Sequence, residues 1–574
     1  MRSLLCLLVM FLPICSDARR EKGIEAIVRF CGVSDVESLD SDEVERLSDY
    51  LEKPLKVNMS SLTELQKSGL FTPFQSVAIL DYRTRHGDIL SFTELAAVDG
   101  FGLDAADALE PFVTLESRGI AAGADKKAVR QDVILKGGGR MNDGYGAMYG
   151  IKYRMDSRRM LLAVAGSRSY DAHSPYPEHY SGNLVWKHGR GMVVAGDFNA
   201  RFGQGLALWN TAVIGGMTSP SSFMRKPSGL SPSFSFTGSS SLTGVAVDLC
   251  LGKWKTTAVM AMPGIKSVAQ KPDNVMLMPA LNVSRYGRAG SVSLTHVTTF
   301  SDCFKRYEMY RIPQMMTALD LAICVRGVNV FGELAYDWVN ASAAGVCGFD
   351  MMPVEDVRLA TLLKYYPASG FANEYGLAAS CEVRRKWTGT FAAEASYFPK
   401  SKSKDVETCV QSKLHADFSF EITEYVQMKL RVTERIRTWG EMFRTDVRLD
   451  ASYRSANVAA SARVNVLRCV ETGVLGYAEG GYIGGAVSAY FRVGLFRIDN
   501  WNDRIYVYER DAPGNFNVPA YYGRGVWMAC TMSWKVRPWW KMYLRCSNTG
   551  YVFMPEEKRK PGKAELKIQF VFRL

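Results

Sequence analysis

Seven basic side chains in the C-terminal half of the sequence are spaced so that they could bind anions. They share one face of three segments in which polar and apolar residues alternate. The seven are Lys429, Arg431, Arg435, Arg444, Arg448, Arg454 and Arg463. A ladder of cations lining a pore would concentrate anions. The alternative, which we favour, is a wall of ion pairs, because Asp446, Asp450 and Glu434 lie among the cations.

No set of residues has the spacing of a catalytic or metal site. The six histidines show no metal-ligand spacing, no G-x-S-x-G segment occurs, and no Walker loop occurs. Ten cysteines from Cys31 to Cys546 include no C-x-x-C pair, which argues against zinc. We therefore expect no enzyme activity, no cofactor and no metal.

Glycines near the N-terminus occur in two similar segments. The first leads to Gly69-Leu70-Phe71, and the second to Gly100-Phe101-Gly102. This repeat resembles the tandem helix-hairpin-helix module of competence-type DNA receptors and repair proteins. The resemblance implies that backbone N–H groups beside Gly69, Gly100, Phe101 and Gly102 contact a DNA phosphate or a partner. The first hairpin departs from the pattern, since Phe71-Thr72-Pro73 replaces its second glycine.

Charge opposes DNA binding by this module. Residues 54–115 hold four basic and eight acidic side chains. Nonspecific DNA affinity comes mainly from cations that replace phosphate counterions, and Asp99 and Asp104 flank the second hairpin. We therefore favour a protein-interaction or structural module, and DNA binding remains the alternative.

The composition shows that charge is divided along the chain. The 574 residues are 47% hydrophobic and carry a net charge of +12, which fits a folded protein of two or more units. Residues 19–115 hold ten basic and 18 acidic side chains, or −8, which leaves +20 for residues 116–574. All 11 tryptophans lie at or after Trp186. An acidic front therefore precedes a basic, aromatic-rich body.

The N-terminus is predicted to be an export signal. Arg2 precedes the apolar run Leu4–Ile14, and Ser16-Asp17-Ala18 has the small residues of a cleavage site. The run is too short for a membrane anchor, and Ile14 is too bulky for a lipoprotein site at Cys15. We predict a signal peptide over 1–18, helices leading in over 19–53, the hairpin domain over 54–115 and a linker over 116–130.

From residue 131 to 574 the pattern has a period of two. In the segment around Val447, Leu449 and Ala451 the apolar residues alternate with charged ones, as in strands with one apolar face. Soluble β-sandwiches and a transmembrane barrel both fit this pattern. Strands of about ten residues and tryptophans near strand ends favour the barrel.

The end of the sequence carries the clearest apolar stripe. Its members are Leu566, Ile568, Phe570, Phe572 and Leu574. The stripe resembles the C-terminal strand by which outer-membrane barrels are recognised and closed. An exposed edge of this kind would promote aggregation in a soluble protein. The resemblance implies outer-membrane lipid and the barrel-assembly machinery as partners.

The predicted fold is mostly β: a large antiparallel transmembrane barrel of about 20–24 strands with a small all-α N-terminal domain. Within that range we expect 22 strands. The stretch Gly196–Leu206 leads into a Gly/Ser/Pro-rich region that reaches Gly244, and together they are predicted to be a strand and then a long loop. That loop either covers the outer mouth or folds into the lumen, since long loops without structure are usually functional or disordered.

Taken together, these features resemble the helix-hairpin-helix outer-membrane proteins of Gram-negative bacteria. The resemblance implies an outer-membrane barrel with its N-terminal domain in the periplasm, and it supplies no mechanism. Two functions remain. The barrel is a channel or assembly component whose hairpin domain docks an unknown periplasmic protein or gates the pore; alternatively, the hairpins bind DNA that the barrel admits.

Overall fold

The computed structural model describes most of the chain in separate stretches. They are 23–117, 129–157, 159–210, 216–236, 241–262, 277–287, 289–300, 314–325, 327–354, 356–402, 407–440, 442–552 and 561–574. The predicted signal peptide and most of the predicted linker lie outside the described residues.

Six α-helices form an N-terminal helical domain, residues 23–117. They are α1 Gly23–Cys31, α2 Ser41–Glu52, α3 Leu62–Ser68, α4 Pro73–His86, α5 Phe92–Ala96 and α6 Leu103–Leu109. Ser61 and Glu64 form a capping box at the start of α3, and Thr72 and Gln75 form one at the start of α4. The two-residue strands Leu55–Lys56 and Val113–Thr114 pair in parallel, so the beginning and end of the hairpin region are joined.

The core of the helical domain is apolar and closed. Ile27, Leu47, Leu65, Ile79 and Phe112 are each at most 1% exposed. Each residue comes from a different segment of the domain, so the helices pack as one unit around a common core.

Twenty-four antiparallel strands form a closed barrel, which confirms the predicted fold class and corrects the expected count of 22. The first eight are β1 Val129–Met141, β2 Tyr145–Ser157, β3 Met160–Arg168, β4 His179–His188, β5 Gly191–Arg201, β6 Leu242–Leu251, β7 Trp254–Met262 and β8 Met278–Tyr286. The next eight are β9 Gly290–Thr299, β10 Gln314–Val325, β11 Val328–Asp337, β12 Ser342–Val354, β13 Val357–Tyr366, β14 Glu374–Arg384, β15 Trp387–Phe398 and β16 Cys409–Thr423. The last eight are β17 Val426–Arg437, β18 Phe443–Arg454, β19 Val458–Arg468, β20 Thr472–Ile483, β21 Val487–Ile498, β22 Gly523–Arg537, β23 Trp540–Gly550 and β24 Lys563–Arg573. A short strand, Gly229–Pro232, pairs with the end of β5 beside this ring.

The two ends of the barrel differ in their connections. At one end, the short-turn end, every link between strands is two or three residues long, as between β2 and β3. At the other, the long-loop end, the links include residues 202–241 and 499–522. β1 begins and β24 finishes at the short-turn end, where Gln131 and Leu574 exchange backbone hydrogen bonds. The pairing of β24 with β1 closes the ring.

Side chains alternate between the two faces of the wall as the sequence pattern predicts. On β18, Leu449 is 42% exposed on the outer face, whereas its neighbour Arg448 is 6% exposed on the inner face. Exposed aromatic side chains lie near both ends of the outer face. At the short-turn end they include Trp186, Trp254, Trp387, Tyr453 and Trp534, and at the long-loop end Tyr180, Tyr336, Trp338, Tyr365 and Tyr397.

The C-terminal stripe lies on the outer face of the closing strand. Leu566 is exposed, and the register places Ile568, Phe570 and Phe572 on the same face. Their neighbours Glu565 and Gln569 are buried on the inner face. The stripe is therefore part of the apolar outer surface.

The helical domain lies inside the barrel. Its side chains form ion pairs with wall strands on opposite sides of the ring, among them β2, β14, β18, β19 and β24. A body that reaches so many inward faces of a closed ring must occupy its lumen. The structure thus places within the barrel a domain that the sequence analysis assigned to the periplasm. Among the described residues, no helix has the length and apolar character needed to cross a membrane.

Candidate functional site

The candidate site is the contact between the helical domain and the inner face of the barrel. Its centre is Glu37, in the short 3-10 turn between α1 and α2. Glu37 Oε1 accepts from Arg463 Nη1 at 2.5 Å, and its Oε2 accepts from Arg448 Nη1 at 3.1 Å. The backbone N–H of Tyr508, in the inward loop 499–522, also donates to Glu37 at 2.9 Å. One carboxylate therefore joins the helical domain, two wall strands and a loop.

Arg448 and Arg463 also contact an acidic side chain of the barrel wall. Asp450 Oδ1 accepts from Arg463 Nε at 2.5 Å, and its Oδ2 accepts from Arg448 Nε at 2.7 Å. Asp35 of the helical domain pairs with Arg431 and lies 3.6 Å from Arg448 Nη1. Arg431, Arg448 and Arg463 therefore belong to a network of ion pairs in which Asp35 and Glu37 come from the helical domain and Asp450 comes from the wall.

The other members of the ladder have different surroundings. Lys429 Nζ donates to the Ser34 carbonyl at 2.8 Å and pairs with Asp417 on the wall. Arg444 donates to the Asn502 carbonyl at 3.0 Å. Arg435 lies opposite Arg444 in the strand register, and Arg454 is the last residue of β18 at the short-turn end.

Further ion pairs anchor the helical domain around the ring. Asp49 Oδ2 lies 2.8 Å from Arg154 Nη1 on β2, and Glu52 Oε1 lies 3.1 Å from Lys541 Nζ on β23. Glu45 pairs with Lys152, Glu52 also with Arg573, and Asp104 with Arg384. The acidic front of the chain therefore neutralises part of the basic body from inside.

Two long-loop-end segments fold into the lumen and fill more of it. In the described parts of the first segment, 202–210 and 216–236, the N–H groups of Gln204 and Leu206 donate to Glu333 on β11, six strands along the wall from β5, at 2.7 and 3.0 Å. In residues 499–522, Glu509 pairs with Arg545 and Asp511 with Lys567. Of the two positions predicted for the first loop, the structure selects the lumen.

The first hairpin glycine is covered. Gly69 ends α3 in the left-handed conformation, with φ of 64°. A Cβ there would lie 2.6 Å from Arg46 Nη1, and Arg46 also donates to the Ser68 carbonyl and pairs with Glu43. The surface that the resemblance assigned to a phosphate or a partner is occupied by α2.

The second hairpin packs within the domain and faces a cavity. The N–H groups of Phe101 and Gly102 donate to the carbonyls of Val98 and Ala96. A Cβ on Gly100 would lie 2.5 Å from Phe74, and the Phe71 and Phe101 rings pack edge to face at 6.1 Å. Because those N–H groups are already bonded, they are not offered to a phosphate.

The electrostatics of the domain centre on Glu43 and Arg46 of α2. Their side chains lie 2.9 Å apart. Burial in the lumen acts to raise the pKa of Glu43, but the Arg46 and Arg201 guanidinium groups outweigh it and hold that pKa below its usual value. The pair therefore stays ionised within the plugged lumen. In the described part of the chain, no three His, Cys, Asp or Glu side chains are arranged to hold a metal ion.

Sequence reasoning missed Asp35, Glu37, Glu45 and Glu52 as functional residues. They lie in residues 19–53, for which the sequence predicted lead-in helices and no contact. The signal that could have identified them was the difference in net charge between residues 19–115, at −8, and residues 116–574, at +20.

The fold and the site together define a β-barrel of 24 strands whose lumen is plugged by its own N-terminal helical domain. No family model matches the sequence, and no curated protein matches it significantly.

The chain is similar to several solved barrels. The siderophore receptor PirA from Pseudomonas aeruginosa shares 8% identity over 78% of this chain and 80% of its own, with a TM-score of 0.36. The FrpB iron transporter from Neisseria meningitidis shares 9% over 79% and 83%, with a TM-score of 0.38. The translocation pore of the P pilus usher PapC shares 9% over 78% and 99%, with a TM-score of 0.34.

Proposed function

We propose that this protein is an outer-membrane channel held closed by its helical domain, which opens when that domain is displaced. The observation that carries the proposal is the ring of ion pairs centred on Glu37, which attaches the domain to the wall from inside. Ion pairs can be broken and remade without unfolding a hydrophobic core, so they suit a reversible closure.

The barrel has the features expected of an outer-membrane protein. Its strand number is even, its outer face is apolar between aromatic bands, and its links are short at one end and long at the other. Both termini of the barrel lie at the short-turn end, which in such barrels faces the periplasm. In this orientation the helical domain is reached from the periplasm.

A periplasmic partner is the agent that would displace the domain. Leu90 and Leu103, in the hairpin region, are 71% and 60% exposed, whereas the core of the domain is closed. We propose that a periplasmic protein binds the helical domain on this side and shifts it, which joins the docking and gating functions in one event. DNA uptake remains the second function class, and no described contact of the hairpins favours it.

Conductance of the full chain in planar lipid bilayers tests the gate. The wild type is expected to be closed, and Glu37→Gln is expected to give frequent openings because Arg448 and Arg463 lose a shared carboxylate. Glu25→Gln is the matched control, since it makes the same charge change at an exposed position of α1. A wild type that conducts steadily, with no difference between the variants, would overturn the proposal.

A further inference from the structure

The helical domain leaves a cavity along one side of the barrel. Most of the ion pairs that hold the domain lie on β17–β19, β23, β24 and β2. The cavity of about 170 Å³ lies on the opposite arc, between the second hairpin and the inner faces of β7–β14. Fewer of the ion pairs that hold the domain lie on this arc, and the pair of Asp104 with Arg384 on β14 is one of them.

Buried polar atoms without partners line this cavity. Gln66 is 3% exposed, and among the described residues neither its Oε1 nor its Nε2 has a hydrogen-bond partner. Ser228 is 6% exposed and Asp320 is 7% exposed. Among the described residues, Ser228 Oγ and Asp320 Oδ1 also have no hydrogen-bond partner. Buried polar groups are normally bonded, so these atoms point to a ligand that both donates and accepts hydrogen bonds.

The cations that line the cavity are paired within the protein. Lys255 lies 3.1 Å from Asp248, and the Arg358 guanidinium binds Asp350 through two contacts of 2.7 and 2.8 Å.

The other cations have their own partners. Arg384 pairs with Asp104. The Lys226 ammonium donates to the Phe30 carbonyl at 3.2 Å and lies 4.0 Å from the centre of the Phe30 ring. An anion entering the cavity would have to draw one of these cations from its partner, whereas a neutral molecule would not.

Rings and size restrict the ligand further. Phe30, Phe74, Phe101, Phe202 and Tyr286 line the cavity and offer apolar surface. A protein cavity of about 150 Å³ accommodates benzene, so the space here fits a single six-membered ring. Pockets of this kind combine apolar surface with a few placed polar groups that set specificity.

We propose that this cavity binds a neutral, polyhydroxylated ring of the size of one sugar unit. Its hydroxyl groups would donate to and accept from Gln66, Ser228 and Asp320, and its C–H faces would pack on the aromatic rings. The inference rests on the proposed function, since it assigns to the closed channel the chemical class of a solute that passes the plug.

Saturation-transfer NMR on the full chain in lauryldimethylamine oxide micelles tests this proposal. The probes are D-glucose and N-acetyl-D-glucosamine, with inorganic phosphate as the charged competitor. The wild type is expected to bind at least one sugar, and phosphate is expected not to displace it. Gln66→Leu is expected to weaken sugar binding by about tenfold, because it removes both amide atoms at nearly constant volume.

A control variant and a measurement of the unfolding temperature exclude misfolding as the cause of lost sugar binding. Gln427→Leu, on the inner face of β17 and away from the cavity, is the matched control and should bind sugar as the wild type does. Gln66→Leu should also raise the unfolding temperature, because it removes two unpartnered buried atoms, so lost binding cannot be ascribed to misfolding.

The outcomes separate this proposal from the proposed function. Absence of sugar binding, or displacement of the sugar by phosphate, would overturn the assignment of a neutral ligand while leaving the conductance gate intact. Sugar binding to a protein that shows no gated conductance would support the cavity site and contradict the channel function instead.

Discussion

Glu37 and Arg463 form a 2.5 Å contact although 426 residues separate them in the sequence. The acid belongs to the helical domain and the base to the barrel wall, and both side chains are at most 10% exposed. An ion pair buried at this depth contributes little net stability, but loss of one partner leaves an uncompensated charge. We call this contact the latch, because replacing only one of its two residues leaves the other charge buried without its partner.

The latch predicts an asymmetric effect of substitution. Glu37→Gln leaves Arg448 and Arg463 short of a carboxylate and should weaken the attachment of the helical domain by about 3–5 kcal/mol. Hydrogen exchange of α1 and α2 amides, followed by mass spectrometry, should be faster in this variant than in Glu25→Gln. Equal exchange in the two variants would show that the ion pair does not hold the domain in place.

A second ion pair allows a test by complete replacement. Lys152 is 1% exposed and pairs with Glu45, while its ammonium also lies 4.3 Å from the Phe236 ring. Glu45→Leu alone should destabilise the docked domain by about 3–5 kcal/mol, whereas Glu45→Leu with Lys152→Leu should cost much less.

Hydrogen exchange of the α2 amides measures both effects. A double variant as damaged as the single one would mean that Glu45 acts through contacts other than Lys152.

Acid should open the channel through Glu43. The folded-state pKa of this carboxyl is held below its usual value by Arg46 and Arg201, in spite of burial. Its contribution to stability is therefore fully present above the unfolded pKa of about 4.3 and is lost as the pH falls through the lower folded value.

Bilayer recordings measure this pH dependence. The opening frequency should rise as the pH falls below about 4. Glu43→Gln should show openings at neutral pH and a flatter response, whereas Glu25→Gln should follow the wild type. If the wild-type opening frequency does not change as the pH falls below about 4, protonation of Glu43 does not open the channel.

The sequence predicted the strands of the barrel wall much better than it predicted the segments inside the lumen. Strand periodicity depends on alternation between neighbours, as at Arg448 and Leu449, so it can be read locally. The strand number was underestimated because each turn at the short-turn end is only two or three residues long and adds little signal.

The plug could not be predicted from local patterns. The pairing of Glu37 with Arg463 is nonlocal, and a surface helix and a helix inside a polar lumen both show an apolar core side and a charged side. The hairpin glycines predicted an accessible contact surface, because the sequence does not show that Arg46 covers Gly69.

The covered hairpins lead to a prediction about DNA. Gly69 lies under Arg46, and the Phe101 and Gly102 N–H groups are bonded to Val98 and Ala96. The full chain should therefore give no salt-sensitive shift of double-stranded DNA in a gel at low ionic strength. A shift that disappears in Gly100→Ala/Gly102→Ala would instead support the DNA-uptake alternative, because it would place the contact at the second hairpin.

The apolar stripe of β24 predicts how the barrel meets the membrane. Ile568 lies near the middle of the strand on the outer face, whereas Leu574 follows the strand at the short-turn end. A lipid-facing Arg costs about 2–4 kcal/mol at the bilayer midplane and much less at the interface. Ile568→Arg should therefore reduce folding into lipid vesicles, measured as heat-modifiable mobility on denaturing gels, and Leu574→Arg should fold nearly as well as the wild type. If the two variants fold equally well, the stripe does not face lipid, because the penalty depends on depth only within a bilayer.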